Sequence, residues 1–234
     1  MAILEITKLN KQFEGLKVLN NINFFVEEGE IVVLFGPNGC GKTTILKLIA
    51  GLMEPDSGEI VSQKRNNHKI GFVFQEDRLF PWKTVYENLD IVSKNFFTNE
   101  IERGEKIKKY LDVVGLWNFK DYYPNKLSGG MKQKASLARA LVIEPDLILM
   151  DEPFSAFDIY DRERLQKETL KILKETNKSI VFVTHNIDEA LTMGQKIILL
   201  SERPSRVLKI FTNMDQKDLI VKELKSIIIS SEKK

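Results

Sequence analysis

Over roughly the first sixty residues, hydrophobic and polar positions alternate over short distances. The segments ILEI, NINFFVEEGE and EIVVLFG are rich in β-branched and aromatic side chains, which predicts short strands, with Glu28–Gly29 marking a turn. IVVLF is apolar without a break, as a strand covered on both faces of a parallel sheet requires. Helix formers then run from about Lys42 to Ala50, and Gly51 stands where a helix closes. EPDSGEIV reads as a turn feeding a strand, and KIGFVFQ as a further strand. From about Pro81 to Asn125 the period changes. TVYENLDIVSK and NEIERGEKIKKYLDVVGL space their apolar residues as helices do, with Thr84 and Asn99 as N-caps, which predicts a helical insertion. After Leu127, helices and apolar strands alternate: a helix behind LSGG, the strand DLILMDEP, the helix DRERLQKETLKILKET, the strand SIVFVTH, a short helix, then KIILL and RVLKIF. That rhythm indicates a parallel sheet with helices on both faces. The tail places Ile220, Leu224, Ile227 and Ile228 on one helical face, and flanking charges of both signs favour docking onto the domain over lying on a membrane.

Composition narrows the class. A chain of 234 residues has room for one large domain or two small ones, and 43% apolar with 29% charged residues describes a globular protein rather than a disordered one. Lysine and arginine outnumber the acids by only 35 to 33, which argues against a dedicated nucleic-acid binder. Cys40 is the single cysteine, so no internal disulfide forms, consistent with a reducing compartment. The N-terminus lacks the pattern of a signal peptide, and no window approaches the roughly 18 apolar residues that span a bilayer. A cytoplasmic protein is expected, with room for a membrane-bound partner.

Three segments carry chemistry. GPNGCGKTT matches G-x-x-x-x-G-K-[ST], with Gly36, Gly41, Lys42 and Thr43 at the fixed positions, between a strand and a helix. Glycines let backbone N–H groups wrap phosphates, the lysine reaches the β and γ oxygens, and the threonine hydroxyl ligates Mg²⁺. LILMDEP brings an acidic pair to the carboxyl end of a buried strand, where open α/β sheets bind ligands. Asp151 is placed to hold Mg²⁺ through water and Glu152 to polarise an attacking water. In KLSGGMKQKASLARAL, Ser128, Gly129 and Gly130 stand before strong helix formers, so a second helix start presents bare N–H groups to an anion.

Over essentially its whole length the chain resembles the ATP-binding subunit of ABC transporters. LSGGM is similar to the signature of that family, with Met131 where glutamine is usual. Gln75 matches the Q-loop glutamine that senses metal and γ-phosphate. SAFD, Ser155 to Asp158, resembles the D-loop, with Phe157 where leucine is commoner. His185 matches the switch histidine, and Phe13 is placed like the aromatic residue that stacks on adenine. The resemblance implies an α/β P-loop NTPase with a mainly parallel sheet flanked by helices, an N-terminal antiparallel β subdomain and a helical subdomain insertion. The implied division is a core of residues 1–80 and 131–214, a helical subdomain of 81–130 and a C-terminal helix of 215–234. It also implies ATP and Mg²⁺ as ligands. Nucleotide would be held by Phe13, Gly36, Pro37, Asn38, Gly39, Cys40, Gly41, Lys42, Thr43, Thr44, Gln75 and Asp158, and by Ser128, Gly129 and Gly130 acting on a second copy. Metal would be held by Thr43, Gln75 and Asp151, and catalysis carried by Glu152, His185 and Lys42.

Two such chains would join head to tail around two nucleotides, as a homodimer beneath integral membrane permease subunits that receive solute from a binding protein. Leu79, Phe80, Pro81 and Trp82 would help form the groove for a permease helix. FQEDRLFPW, LSGGMKQKASLARAL and LSERPSRV are similar to the ATPases of importers for nitrate, sulfonates, taurine and related solutes. A soluble ABC ATPase of DNA repair or translation is the alternative. It is opposed by the short interval between the two glycine-led segments, which has no sustained heptads, and by the single phosphate loop. Residue by residue, blander readings stand beside these: His185 as a satisfied strand-end histidine, Gln75 as a surface residue, Phe13 as a core aromatic.

Overall fold

The structure, a computed structural model, describes residues 1–62, 69–212 and 214–232, with the side chains of 228–232 outside the description. In chain order its elements begin β1 (Ala2–Phe13), β2 (Leu16–Glu27), β3 (Ile31–Phe35), α1 (Lys42–Ile49), β4 (Ser57–Ser62) and β5 (Ile70–Val73). The helical stretch holds α2 (Val85–Ser93), α3 (Glu100–Val113) and α4 (Gly129–Leu141). Then come β6 (Leu147–Asp151), α5 (Ile159–Thr176), β7 (Ser179–Thr184), α6 (Ile187–Met193), β8 (Lys196–Leu200), β9 (Val207–Phe211) and α7 (Lys217–Glu232). They form two compact units: Met1–His68 with Leu149–Glu152 and Lys178–Lys234, and Lys69–Ile148 with Pro153–Asn177.

In the first unit, β2, β1 and β4 make an antiparallel sheet with β1 in the middle. Ile6 of β1 faces Phe24 on one side and Ile60 on the other. Lys8 and Asn21 adopt φ of 50° and 58° where the register shifts. There the Asn23 side chain accepts from the Lys8 N–H at 2.8 Å, and Asn10 accepts from the Asn21 N–H at 2.9 Å. These bonds replace ladder bonds the bulges interrupt. Glu14 and Gly15, with φ of 46° and 83°, turn β1 into β2 and leave Phe13 opposite Leu16 at the rim. The strands are longer than ILEI and NINFFVEEGE suggest, because their outer halves are polar and carry no strand signature.

The main sheet of this unit runs from the end of β6 through β7, β3 and β8 to β9. β3 is parallel to both neighbours, Val33 lying opposite Phe182 and Ile197. All five of its residues are buried, each contributing on the order of 2 kcal/mol of apolar transfer. The sheet is mainly parallel, as expected, and β9 is its antiparallel member, paired to β8 with Ile197 opposite Phe211. The connector Ser201–Arg206 is too short for the crossover that a parallel partner needs. Ile220 and Leu224 of α7 are fully buried, so the helix docks by the face its spacing predicts; the Ile228 side chain lies outside the described residues.

In the second unit, α2, α3 and α4 pack around Leu89, Ile107, Leu111 and Leu141. Thr84 and Glu87 close a reciprocal capping box on α2, and Asn99 caps α3 through the N–H groups of Ile101 and Glu102, as the sequence predicts. Buried Asn88 accepts from the Phe80 N–H at 2.7 Å and donates to the carbonyls of Phe80, Lys83 and Thr84. That network pins the Leu79–Lys83 segment to α2. α5 starts at Ile159, two residues before DRERL, because Asp158 supplies its N-cap.

Candidate functional site

The site begins where β3 delivers the chain to Gly36. Gly39 and Gly41 have φ of 73° and 108°, a region favourable only to glycine. A Cβ at Gly41 would sit 2.8 Å from Leu19 Cδ2 and 2.9 Å from Val18 Cγ1, so β2 presses the loop into its curve. α1 then starts with no side-chain cap and no acidic residue in its first turn. Its leading N–H groups and the positive end of its dipole are left for an anion. Cys40 is buried, and burial pushes its thiol up against the pull of Lys42. It stays neutral and acts as a small filler.

Five polar groups converge at this loop. The Lys42 ammonium is buried and donates to the carbonyls of Gly36 at 2.8 Å and Pro37 at 3.0 Å, with Glu152 Oε1 at 3.7 Å. Thr43 Oγ1 donates to Asp151 Oδ1 at 2.9 Å. Burial raises the Asp151 carboxyl, and the neighbouring Glu152 charge adds to this against the Thr43 bond. Glu152 occupies the left-handed region at φ 43°, strain for a non-glycine residue, and its N–H is held by the Val183 carbonyl at 3.1 Å. Burial pushes its carboxyl up, but the His185 bond and charge and the Lys42 charge outweigh this, and it lies below its ordinary value. His185 Nδ1 stands 3.0 Å from Glu152 Oε2. That bond lifts the imidazole above its ordinary value despite partial desolvation. Two adjacent carboxylates are thus driven apart in acidity, the pattern of groups with divided roles.

Lys42, Thr43 and Glu152 border a cavity of about 260 Å³, lined also by Phe13, Asn38 and Arg203. An uncapped helix start, a buried ammonium and a hydroxyl–carboxylate pair are the donor set a triphosphate with a hard divalent cation requires. Phe13 is 39% exposed, which removes the core-aromatic reading; its ring lines the cavity, with the Lys11 ammonium 5.5 Å from the ring centroid.

The second unit holds the remaining predicted residues. Ser128 caps α4 by accepting from the Met131 N–H at 3.3 Å. Gly129 lies over the Phe157 ring, where a Cβ would come 3.2 Å from Cε1, and Gly130 over Leu165, at 3.3 Å from Cδ2. Gln75 Nε2 donates to Ser155 Oγ at 3.3 Å. Asp158 accepts from the N–H groups of Tyr160 and Asp161 at 3.0 Å each, which commits its carboxylate to α5. Gln75, Gly129, Ser155 and Phe157 share a cavity of about 740 Å³.

Residues 19–155 match the family described as ABC transporter. The chain belongs to that family. Its relatives include the aliphatic sulfonates import ATP-binding protein of Bacillus cereus, 40% identical over 220 residues, covering 91% of this chain and 86% of that protein. The taurine import ATP-binding protein of Roseobacter denitrificans is 39% identical over 221 residues, covering 89% and 81%. Among solved structures, a dimeric ATP-binding cassette in a post-hydrolysis state bound to ADP and Pi superposes with a TM-score of 0.73. It has 31% identity over 89% of this chain and 97% of that one. As a member of the family, this ABC ATPase binds ATP.

Local pattern does not reveal every part of this cassette's site. Thr184 Oγ1 donates to Glu189 Oε2 at 2.6 Å and accepts from the Asn186 N–H at 3.0 Å, while Asn186 caps α6. That knot holds the turn carrying His185. An N-cap ahead of IDEAL signals the helix, but nothing in the sequence signals the buried Thr184–Glu189 pair. Val18 and Arg203 also reach the cavity from distant segments.

Proposed function

We propose that this ABC ATPase is the nucleotide-binding subunit of an importer for a small solute of the sulfonate, taurine or nitrate class. It works as a homodimer that closes on two MgATP at the cytoplasmic face of a membrane permease, with a solute-binding protein acting indirectly and no nucleic acid involved. The observation that carries the catalytic part is the convergence of Lys42, Thr43, Asp151, Glu152 and His185 at one loop. The solute class rests on what the related import proteins are named for.

On this reading Phe13 stacks on adenine, the N–H groups between Gly36 and Thr44 hold the inner phosphates, and Lys42 reaches the outer ones. Thr43, Asp151 and Gln75 would hold Mg²⁺, which when bound neutralises phosphate charge. Glu152, kept ionised, accepts a hydrogen bond from the attacking water and orients it. His185 binds Glu152 through Nδ1, which leaves Nε2 for a γ-phosphate oxygen. Ser128, Gly129 and Gly130 serve the ATP of the second copy, and Asp158 shapes the loop between Glu152 and α5.

Residues 81–130 act as the helical subdomain that meets the permease, 1–80 with 131–214 as the core and 215–234 as a docked C-terminal helix. Leu79 is buried while Trp82 is 70% exposed, and a cavity of about 490 Å³ lined by Phe72, Phe74, Phe80, Ile91 and Phe96 lies in the same unit. These features suit an amphipathic permease helix. The test is co-purification of the tagged chain from detergent-solubilised membranes. A multi-span membrane protein is expected, and it should be lost in Trp82→Glu with ATP binding unchanged. Recovery of only ribosomal or DNA-associated proteins would keep the ATP chemistry and overturn the transport role.

A further inference from the structure

The loop cavity contains a cation that none of the motifs accounts for. Arg203 lies in the β8–β9 connector, within LSERPSRV, and its guanidinium rests against the phosphate loop: a Cβ at Gly39 would sit 3.4 Å from Nη2. It lines the cavity with Asn38, Lys42 and Glu152. No carboxylate among the described residues forms an ion pair with it.

The connector is anchored. Ser205 is buried, its N–H donates to the Val18 carbonyl at 2.8 Å, and its own carbonyl accepts from the Asn20 N–H at 2.9 Å. Its hydroxyl donates to the Ser201 carbonyl at 3.3 Å, and the Ser201 hydroxyl accepts from the Arg206 N–H at 3.0 Å. The segment bearing Arg203 is therefore tied to the same strand, β2, that shapes the phosphate loop through Val18 and Leu19.

Charge gives the position its meaning. Around the loop the Lys42 ammonium faces the carboxylates of Asp151 and Glu152, a balance that by itself suits a polyanion poorly. A guanidinium fork against Gly39 adds positive charge to the cavity in the geometry that phosphate accepts.

We propose that Arg203 is a nucleotide-binding residue that contacts the terminal phosphate of the ATP held by the phosphate loop. The terminal phosphate is assigned because Arg203 lines the same cavity as Glu152, the carboxylate proposed to orient the attacking water. The proposal rests on reading this cavity as the ATP site.

Isothermal titration of the full chain with ATP and with ADP, in EDTA, tests it. Arg203→Gln raises the ATP Kd about tenfold and the ADP Kd less than about twofold, as expected for one lost charge-assisted contact. Arg203→Lys recovers part of the ATP affinity, since it keeps the charge without the fork. An unchanged ATP Kd in Arg203→Gln overturns the proposal, and so does an equal loss for both nucleotides. Lys42→Ala separates the two levels of inference. If it weakens ATP binding while Arg203→Gln does not, only the role of Arg203 falls. If Lys42→Ala leaves ATP binding intact, the reading of the cavity falls and Arg203 with it.

Discussion

α1 and α4 both begin on glycine ahead of strong helix formers, yet they are equipped differently. α1 starts from Gly41 in a left-handed conformation, without a side-chain cap, and its first two residues are already engaged by the carbonyls of Gly36 and Pro37 and by Asp151. α4 starts behind Ser128, which caps it, and the groups beneath its glycines are the apolar side chains of Phe157 and Leu165. The first helix start stands within a set of acids, a base and a cation suited to hold a phosphate and to orient a water toward it. The second offers N–H groups and a hydroxyl beside Lys132, without the buried ammonium, hydroxyl–carboxylate pair and histidine–glutamate pair of the first. On the proposed reading the two anion-facing helix starts divide the work: the first would be the site, and the second would finish the site of another copy.

The largest expected effect falls on the first. Glu152→Gln should bind ATP within about threefold of wild type while turnover drops about a thousandfold, because the variant keeps the shape but loses the charge that orients water. Near-normal turnover in a phosphate-release assay would remove Glu152 from its role.

Ser128→Arg probes the second. Light scattering should show loss of ATP-dependent dimerisation and turnover should fall about a hundredfold, with the ATP affinity of the isolated chain unchanged. If the variant still dimerises and turns over like wild type, α4 is not the completing half.

A smaller effect separates the two glycine sets. Gly41→Ala combines a φ of 108° with a Cβ contact of 2.8 Å to Leu19, so thermal unfolding should report a loss of about 2–3 kcal/mol. At Gly129 the backbone is helical and the ring edge 3.2 Å away can shift; Gly129→Ala should cost about 1 kcal/mol or less, and Phe157→Leu beside it should relieve that cost. Equal losses at both positions would mean that the loop is no more tightly constrained than the helix.

The smallest effect is the pH dependence of the His185–Glu152 pair. His185 is raised above its ordinary 6.5, so its contribution is complete below that value and fades as pH climbs through the folded-state pKa. Glu152 is lowered below 4.5, so its contribution is present above that value and is lost as pH falls through its folded pKa. The Tm gap between wild type and His185→Gln, without nucleotide, should therefore be wider near about pH 6 than near about pH 8.5. Because the histidine is nearly half exposed, solvent screening keeps the gap small. A gap independent of pH would show that the pair holds the turn by shape alone.

The parts of this protein that the sequence determined by itself are those whose physics lies within a few consecutive residues. The phosphate loop is legible in GPNGCGKTT because turn, cradle, ammonium and hydroxyl are contiguous. The five-residue core strands are legible because burial on both faces leaves no polar position. Thr84, Asn99 and Ser128 announce their helices because a cap and its N–H groups are neighbours. Tertiary structure alone decided what depends on which distant segments meet. Strand order sets β7 beside β6 and so brings His185 to Glu152, the β8–β9 connector lays Arg203 on Gly39, and a short return makes β9 antiparallel. No local period encodes such meetings. They follow from sheet pairing and core burial acting between residues far apart in the chain, and they give Asp151 and Glu152, adjacent in sequence, opposite shifts in acidity.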